Sequence, residues 1–189
     1  ENVSIFGPSG SGKTTLVKYV LGRLKRDRLD YRWGYHNCMS ESSKAGVLHQ
    51  LVRDAGLGRD LRRTGTPTGE YVDRIREREG PTALVLDEID MLDDPTLIAL
   101  LADLPGVSLV TICVDQDRLH TDLRTDERVR SRLRSAETIT LDRYSQAELV
   151  AIVQYRVDHG LDGSRVTDGA VEVIADLAAG NARKAISLL

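Results

Sequence analysis

The stretch that decides the fold lies near the start of the chain and reads Gly7-Pro8-Ser9-Gly10-Ser11-Gly12-Lys13-Thr14. It satisfies the pattern GxxxxGK[ST] and separates a short apolar segment, Val3 to Phe6, from a segment with helical periodicity, Lys13 to Arg26. Glycines let consecutive backbone N–H groups turn toward phosphate oxygens, and the N-terminus of the following helix adds partial positive charge. The motif therefore predicts a phosphate-binding loop between a strand and a helix.

The residue types of this loop predict Mg-ATP as the ligand. Lys13 is expected to contact the β- and γ-phosphates, and the Thr14 hydroxyl is expected to bind Mg²⁺. We assign nucleotide binding to the loop and its continuation, namely Gly7, Pro8, Ser9, Gly10, Ser11, Gly12, Lys13, Thr14 and Thr15. The alternative is a glycine-rich turn that carries a surface lysine.

A second motif, Leu84-Val85-Leu86-Asp87-Glu88, is an apolar strand that ends in two acids, as in a Walker B element. Ligands collect at the carboxyl ends of parallel strands, so Asp87 is expected beside Mg²⁺ as a metal ligand. Glu88 is then the candidate base that orients and deprotonates the attacking water. Acids that only cap a strand are the alternative, and Asp90 and Asp93 are interpreted as structural.

The remaining sequence predicts alternating strands and helices, and hence an α/β fold with a parallel five-stranded sheet between helices. The predicted strands are Val3 to Phe6, Tyr31 to Cys38, Ala83 to Leu86, Val107 to Val114 and Thr138 to Leu141. The predicted helices are Lys13 to Arg26, Ser42 to Ala55, Gly69 to Glu79 and Pro95 to Ala102, the last with Asp94 as N-cap.

After the fifth strand the pattern is purely helical, with segments at Ser145 to His159, Thr167 to Ala179 and from Asn181 onward. We therefore predict a nucleotide-binding core over residues 1–143 and a small α-helical lid subdomain over 144–189. The chain opens on a strand and stops within an apolar helix, so we expect a truncated lid and a longer parent protein.

Composition excludes several classes of protein. Apolar residues make up 41% and charged residues 29%, which is typical of a folded globular domain rather than a disordered chain. The net charge of −3 excludes a domain that is basic as a whole, so any DNA contact must be local. No apolar run is long enough to cross a membrane, which favours a cytoplasmic protein without a membrane partner. Cys38 and Cys113 lack the spacing of a zinc site or a disulfide framework.

Together these features resemble the AAA+ replication initiators of the origin recognition complex and cell-division-cycle loader family, as found in archaea. The resemblance covers nearly the whole chain. It is carried by Asn37-Cys38, Thr64-Gly65, Leu86-Asp87-Glu88-Ile89-Asp90, the run Arg128-Val129-Arg130-Ser131-Arg132, Tyr144 and Gly180-Asn181-Ala182-Arg183. It implies an ATPase that binds double-stranded origin DNA and helps to load the replicative helicase.

The resemblance also implies roles for particular arginines. Arg183 is similar to the sensor 2 arginine, which contacts the γ-phosphate. Arg132, together with Arg128, is similar to the arginine finger that acts on ATP held by a neighbouring AAA+ subunit. The extra helix between the second and third strands is similar to the family's insertion that contacts DNA. A solvated basic helix end is the alternative for Arg128 to Arg134, and a solvated loop is the alternative for Arg59, Arg62 and Arg63.

Three positions depart from the family pattern. The segment Thr111 to Gln116 offers Val114 and Asp115 where the family has the sensor 1 asparagine, Asn181 stands where aspartate is commoner, and Arg143 replaces a proline. Two other functions therefore stay open. One is another AAA+ machine, such as a clamp-loader-like or signalling ATPase, and the other is an ATP-gated DNA-binding switch with little hydrolysis.

Overall fold

The computed structural model describes residues 1–27, 30–115, 126–161 and 166–189. It confirms an α/β fold with a five-stranded parallel sheet. The strands are β1 (Val3–Phe6), β2 (Arg32–Asn37), β3 (Thr82–Asp87), β4 (Val107–Ile112) and β5 (Glu137–Thr140). Their order is β2-β3-β4-β1-β5, so β2 and β5 form the edges.

Eight α-helices occur in the described part of the chain. They are α1 (Lys13–Asp27), α2 (Lys44–Asp54), α3 (Thr68–Arg76), α4 (Thr96–Ala102), α5 (Glu127–Ser135), α6 (Gln146–Gly160), α7 (Asp168–Ala178) and α8 (Ala182–Leu188). A short 3-10 helix, Ile89–Met91, follows β3. Both α2 and α3 lie between β2 and β3 in the sequence, as the periodicity predicts.

Most of the predicted strands and helices differ from the observed ones by one to three residues at an end. Two differences have a clear physical reason. The helix α4 begins at Thr96, with Pro95 at its N-cap, one residue later than predicted; Asp94 Oδ1 nevertheless accepts a hydrogen bond from Thr96 N at 3.1 Å. Helix α5 was not among the predicted helices, because the apolar side chains that it buries are only Val129 and Leu133. That single i, i+4 pair is too short a pattern to indicate a helix.

The chain forms two compact units. The sheet unit comprises Glu1–Phe6 and Thr14–Ile139, and the helical unit comprises Gly7–Lys13 and Thr140–Leu189. In the sheet unit all six residues of β3 are buried, as expected for a central parallel strand covered on both faces. Its core is mostly aliphatic, with one fully buried tyrosine. The fully buried residues include Leu48, Leu51, Tyr71, Ile75, Leu84, Leu86, Leu97, Leu101 and Leu109.

The helical unit has its own apolar core. The core consists of Leu149, Val153, Val157, Val171, Ala175, Ala178 and Ala185 from α6, α7 and α8. Helix α6 begins with a capping box, in which the Ser145 hydroxyl accepts from Glu148 N and the Glu148 carboxylate accepts from Ser145 N. No helix among the described residues combines the length and apolar character that crossing a membrane requires.

Close packing of α2 on β2 depends on a residue without a side chain. A Cβ at Gly34, which is buried in β2, would lie 2.4 Å from Leu51 O on α2. Backbone atoms cannot yield as a flexible side chain can, so a methyl group at this position must push α2 away from the sheet.

We predict that Gly34→Ala lowers the free energy of unfolding by about 1–3 kcal/mol, because it overpacks the contact between β2 and α2. Gly22→Ala is the matched control, since Gly22 lies within α1 and a Cβ there would have no neighbour within 4 Å. It should raise the free energy of unfolding by about 0.5–1 kcal/mol through helix propensity. Urea denaturation measures both changes. If the free energy of unfolding changed in the same direction in the two variants, this packing argument would be contradicted.

Candidate nucleotide site

The loop Gly7–Lys13 holds its lysine inward. Lys13 is only 7% exposed, and its Nζ donates to Gly7 O at 2.6 Å and to Pro8 O at 2.9 Å. A further turn in the loop is closed by Ser11 N, which donates to Pro8 O at 3.3 Å. The lysine ammonium is therefore positioned inside the curve of the loop by backbone carbonyls.

Two positions in the loop require glycine, because the backbone has a positive φ there and because a Cβ would collide with neighbouring atoms. Gly10 and Gly12 have φ values of 82° and 89°, which side chains with a Cβ rarely adopt. A Cβ at Gly10 would lie 2.0 Å from Asn181 Oδ1, and a Cβ at Gly12 would lie 2.5 Å from Tyr144 Oη. Ala182 N also donates to Gly10 O at 3.1 Å. Residues at the start of α6 and α8 thus pack against the loop within the helical unit.

The loop fits a phosphate ligand. Ser11 Oγ is buried, and within the described residues it has no hydrogen-bond partner. An unsatisfied buried hydroxyl is costly, and a phosphate oxygen is the type of acceptor that would satisfy it. Two further residues of the predicted set, Ser9 and Thr15, are exposed.

The predicted magnesium ligands meet in the sheet unit. Thr14 Oγ1 donates to Asp87 Oδ2 at 2.6 Å, although the two residues are 73 positions apart. Asp87 ends β3 and is 3% exposed. A hydroxyl and a carboxylate oxygen are the hard donors that Mg²⁺ prefers, so this pair fits the ion.

Tyr35 on β2 also contacts this carboxylate, and the sequence analysis did not predict it. Tyr35 Oη donates to Asp87 Oδ2 at 2.8 Å. Burial, reinforced by the hydrogen bond to Asp87, raises the pKa of Tyr35 well above its ordinary value, so the phenol keeps its proton and acts as a donor.

Glu88 adopts an uncommon backbone conformation. Its φ of 55° and ψ of 52° are left-handed, and the residue connects β3 to the 3-10 helix. Non-glycine residues in this region carry strain of about 1–3 kcal/mol and are concentrated at functional sites. The conformation turns the chain sharply at the residue after Asp87, which is compatible with the predicted role of Glu88.

The two candidate finger residues lie on α5. Arg132 Nε donates to Asp103 Oδ1 at 2.5 Å, and both side chains are almost half exposed. Arg128 is exposed and lines a cavity of about 370 Å³ together with Asp103 and Asp126. Asp126 caps α5 by accepting from Arg128 N at 3.0 Å. The exposed surface of α5 is therefore solvated and basic. This agrees both with an arginine finger and with a solvated basic helix end.

Arg183 lies in the first turn of α8 and is exposed. The residue before this helix, Asn181, is its N-cap, and Asn181 Oδ1 accepts from Lys184 N at 3.0 Å. Asparagine and aspartate cap helices about equally well, which accounts for the substitution at this position. Arg143, in place of the family's proline, donates from its guanidinium to Ala179 O at 3.3 Å.

The segment after β4 offers no amide side chain at the sensor 1 position within the described residues. Val114 is 36% exposed and apolar, and Asp115 follows it; Gln116 lies outside the described residues. Cys113 is buried, and its thiol contacts Asp90 Oδ1 at 3.7 Å. Burial raises the pKa of Cys113 to about 11 and that of Cys38 to about 12, so both thiols are neutral and serve as packing groups.

Comparison with known proteins places this geometry in a family. The model of the family described as "AAA domain" matches residues 1–121. The chain belongs to the AAA domain family. Its resemblance to archaeal initiators is also confirmed: the whole chain is 38% identical to ORC1-type DNA replication protein 9 of Halobacterium salinarum and covers 53% of that protein.

Solved structures agree with this assignment. The ORC1 protein of Aeropyrum pernix in complex with DNA is 26% identical, with a TM-score of 0.82 over 98% of this chain and 52% of that one. The ORC2 protein of the same organism, in its ADPNP and ADP complexes, shows the same fold at 22% identity and a TM-score of 0.78, over 98% of this chain and 55% of that one. The AAA chain therefore spans about half the length of these relatives.

Proposed function

We propose that this chain is the ATP-binding and ATP-hydrolysing domain of a DNA replication initiator that binds double-stranded origin DNA and takes part in loading the replicative helicase. The observation that carries the ATPase proposal is the 2.6 Å contact between Asp87 Oδ2 and Oγ1 of Thr14, the last residue of a complete phosphate-loop motif. The likeness to ORC1-type replication proteins supports the choice of an initiator over a clamp-loader-like or signalling ATPase.

Each residue of the site has a part in this proposal. Lys13 binds the β- and γ-phosphates once its loop carbonyls are exchanged for phosphate oxygens. Thr14 and Asp87 hold Mg²⁺, which neutralises charge on the transferred phosphoryl group when it is bound. Glu88 accepts the proton of the attacking water and orients it. Arg183, from the first turn of α8, stabilises the γ-phosphate.

A neighbouring AAA+ subunit completes the site in this proposal. Arg132, assisted by Arg128, is offered to the ATP of that subunit as an arginine finger. Its ion pair with Asp103 does not oppose this role, because a solvent-exposed pair contributes little stability and is easily exchanged. An isolated chain should therefore hydrolyse ATP slowly.

A local basic surface supports DNA binding despite the negative net charge. A cavity of about 630 Å³ lies between α2 and the connector that joins α2 to α3. Its basic lining residues are His49, Arg53, Arg59, Arg62 and Arg63. The connector is anchored by Tyr71 Oη, which donates to Arg62 O at 2.7 Å. Arginines on an anchored loop can contact backbone phosphates, as the insertion in this position implies.

One observation favours a second candidate, an ATP-gated DNA-binding switch with little hydrolysis. Val114 stands where a side-chain amide would help to polarise the attacking water, and its apolar side chain cannot do so. Nucleotide binding would be unchanged under this alternative, and only turnover would differ. Measured turnover in the presence of DNA and partner subunits separates the two.

We predict that Lys13→Ala weakens ATP binding about 10- to 100-fold, since it removes a charge-assisted phosphate contact. Glu88→Gln should leave ATP affinity unchanged and reduce hydrolysis by about 100-fold, because it keeps the shape and removes the base. Lys25→Ala, which removes an exposed lysine from the last turn of α1, is the charge control. Calorimetry and phosphate release measure the two steps. Wild-type affinity in Lys13→Ala, or wild-type turnover in Glu88→Gln, would contradict the assignment.

We predict that Arg132→Ala leaves ATP affinity unchanged but removes the hydrolysis that appears on assembly, since arginine fingers are worth about 10³- to 10⁵-fold in rate. The sharp test mixes two inactive proteins. Lys13→Ala keeps its finger, and Arg132→Ala keeps its nucleotide, so a mixed assembly should recover phosphate release. Absence of recovery in a mixture that sedimentation shows to be assembled would exclude action in trans.

We predict that the double variant Arg59→Ala, Arg62→Ala weakens binding to duplex DNA and lowers the slope of log affinity against log salt by about 2, because each phosphate contact contributes about 0.9. Arg156→Ala, which removes an exposed positive charge from α6, should leave the slope unchanged. Fluorescence anisotropy over a salt series gives the slope. Identical slopes for wild type and the double variant would show that the connector does not contact DNA.

A further inference from the structure

Tyr35 contacts the acidic end of β3 from a neighbouring strand. Its Oη donates to Asp87 Oδ2 at 2.8 Å, and Thr14 Oγ1 donates to the same oxygen at 2.6 Å. Two hydroxyl groups, one from α1 and one from β2, therefore meet on a single carboxylate oxygen of a residue that is only 3% exposed.

The sheet register explains why Tyr35 reaches this place. β2 and β3 are parallel neighbours, with Tyr35 opposite Val85 and Asn37 opposite Asp87. Alternate residues of a strand point to one face, so Tyr35 shares a face with both Val85 and Asp87. The phenol is long enough to extend along that face by two residues.

The ring of Tyr35 is held on its other side as well. Lys18 Nζ lies 3.8 Å from the centroid of the ring, which is a cation–π contact. Lys18 and Thr14 are four residues apart on α1 and so lie on one face of the helix. Tyr35 N donates to Asp54 Oδ2 at 2.8 Å, which fixes the backbone of this edge strand.

We propose that Tyr35 is a positioning residue for the magnesium site: its hydroxyl fixes the orientation of the Asp87 carboxylate, so that Asp87 and Thr14 share one Mg²⁺. The inference rests on the proposed function, because it concerns the same ATP site. Hydrogen bonds to a ligating carboxylate restrict its rotation, and loss of such a partner lowers metal affinity about 10- to 100-fold. Tyr35 would thus set the Mg²⁺ concentration at which the site fills.

The test separates metal binding from nucleotide binding. Affinity for a fluorescent ATP analogue is measured by anisotropy during a Mg²⁺ titration and in EDTA. We expect Tyr35→Phe to need about 10-fold more Mg²⁺ for the half-maximal effect, with the affinity in EDTA unchanged. Tyr19→Phe is the control, since Tyr19 is 59% exposed and its hydroxyl contacts Arg23 rather than Asp87. Melting temperatures in EDTA establish that each variant is folded.

A double-mutant cycle with Asp87→Asn adds a readout that general destabilisation would not produce. If Tyr35 acts through Asp87, Tyr35→Phe should not shift the Mg²⁺ midpoint further once Asp87 is replaced. An unshifted midpoint in Tyr35→Phe alone, or an equal loss of affinity with and without Mg²⁺, would overturn the inference and leave the ATPase proposal standing. If Lys13→Ala bound ATP with wild-type affinity, both the inference about Tyr35 and the ATPase proposal would be overturned.

Discussion

The hydrogen bond between Thr14 Oγ1 and Asp87 Oδ2 is the interaction on which the rest of the sheet unit depends. A carboxylate that is 3% exposed is destabilising unless donors surround it, and the hydroxyls of Thr14 and Tyr35 supply them. To bring these three residues together, the start of α1 must lie close to the residues of β2 and β3 that carry Tyr35 and Asp87. The geometry of the acidic strand end therefore constrains the packing of α1 and the pairing of β2 with β3.

Much of the fold could be predicted from the sequence because its signals are local. The segment Val3–Phe6 was predicted with its observed limits, and the helix that starts at Lys13 differs only by one residue at its end. The phosphate loop was recognisable because its glycines, lysine and threonine occur at fixed spacings. The edge strand β5 was predicted as Thr138 to Leu141 from its strand-like residues and is observed one residue earlier, although all four of its residues are exposed.

The contact between Tyr35 and Asp87 could not be predicted, because it depends on which strands are neighbours and in which register. Neither property is visible in local periodicity, and a shift of one residue would turn Tyr35 to the opposite face of the sheet. The ion pair of Arg132 with Asp103 has the same origin, since it joins α5 to the end of α4. Sequence motifs therefore do not predict residues whose roles depend on tertiary contacts.

The strained backbone at Glu88 follows from the same constraint. β3 is buried along its whole length and is paired in register with β2 and β4, so the chain cannot relieve strain by sliding the strand. Asp87 O also accepts from Cys38 N at 2.8 Å, which fixes the peptide group immediately before Glu88. The left-handed turn at Glu88 is thus imposed by a rigid strand that ends at a buried acid. Such a turn holds the backbone of Glu88 in place before any ligand arrives, which is the preorganisation that the proposed role of Glu88 as catalytic base requires.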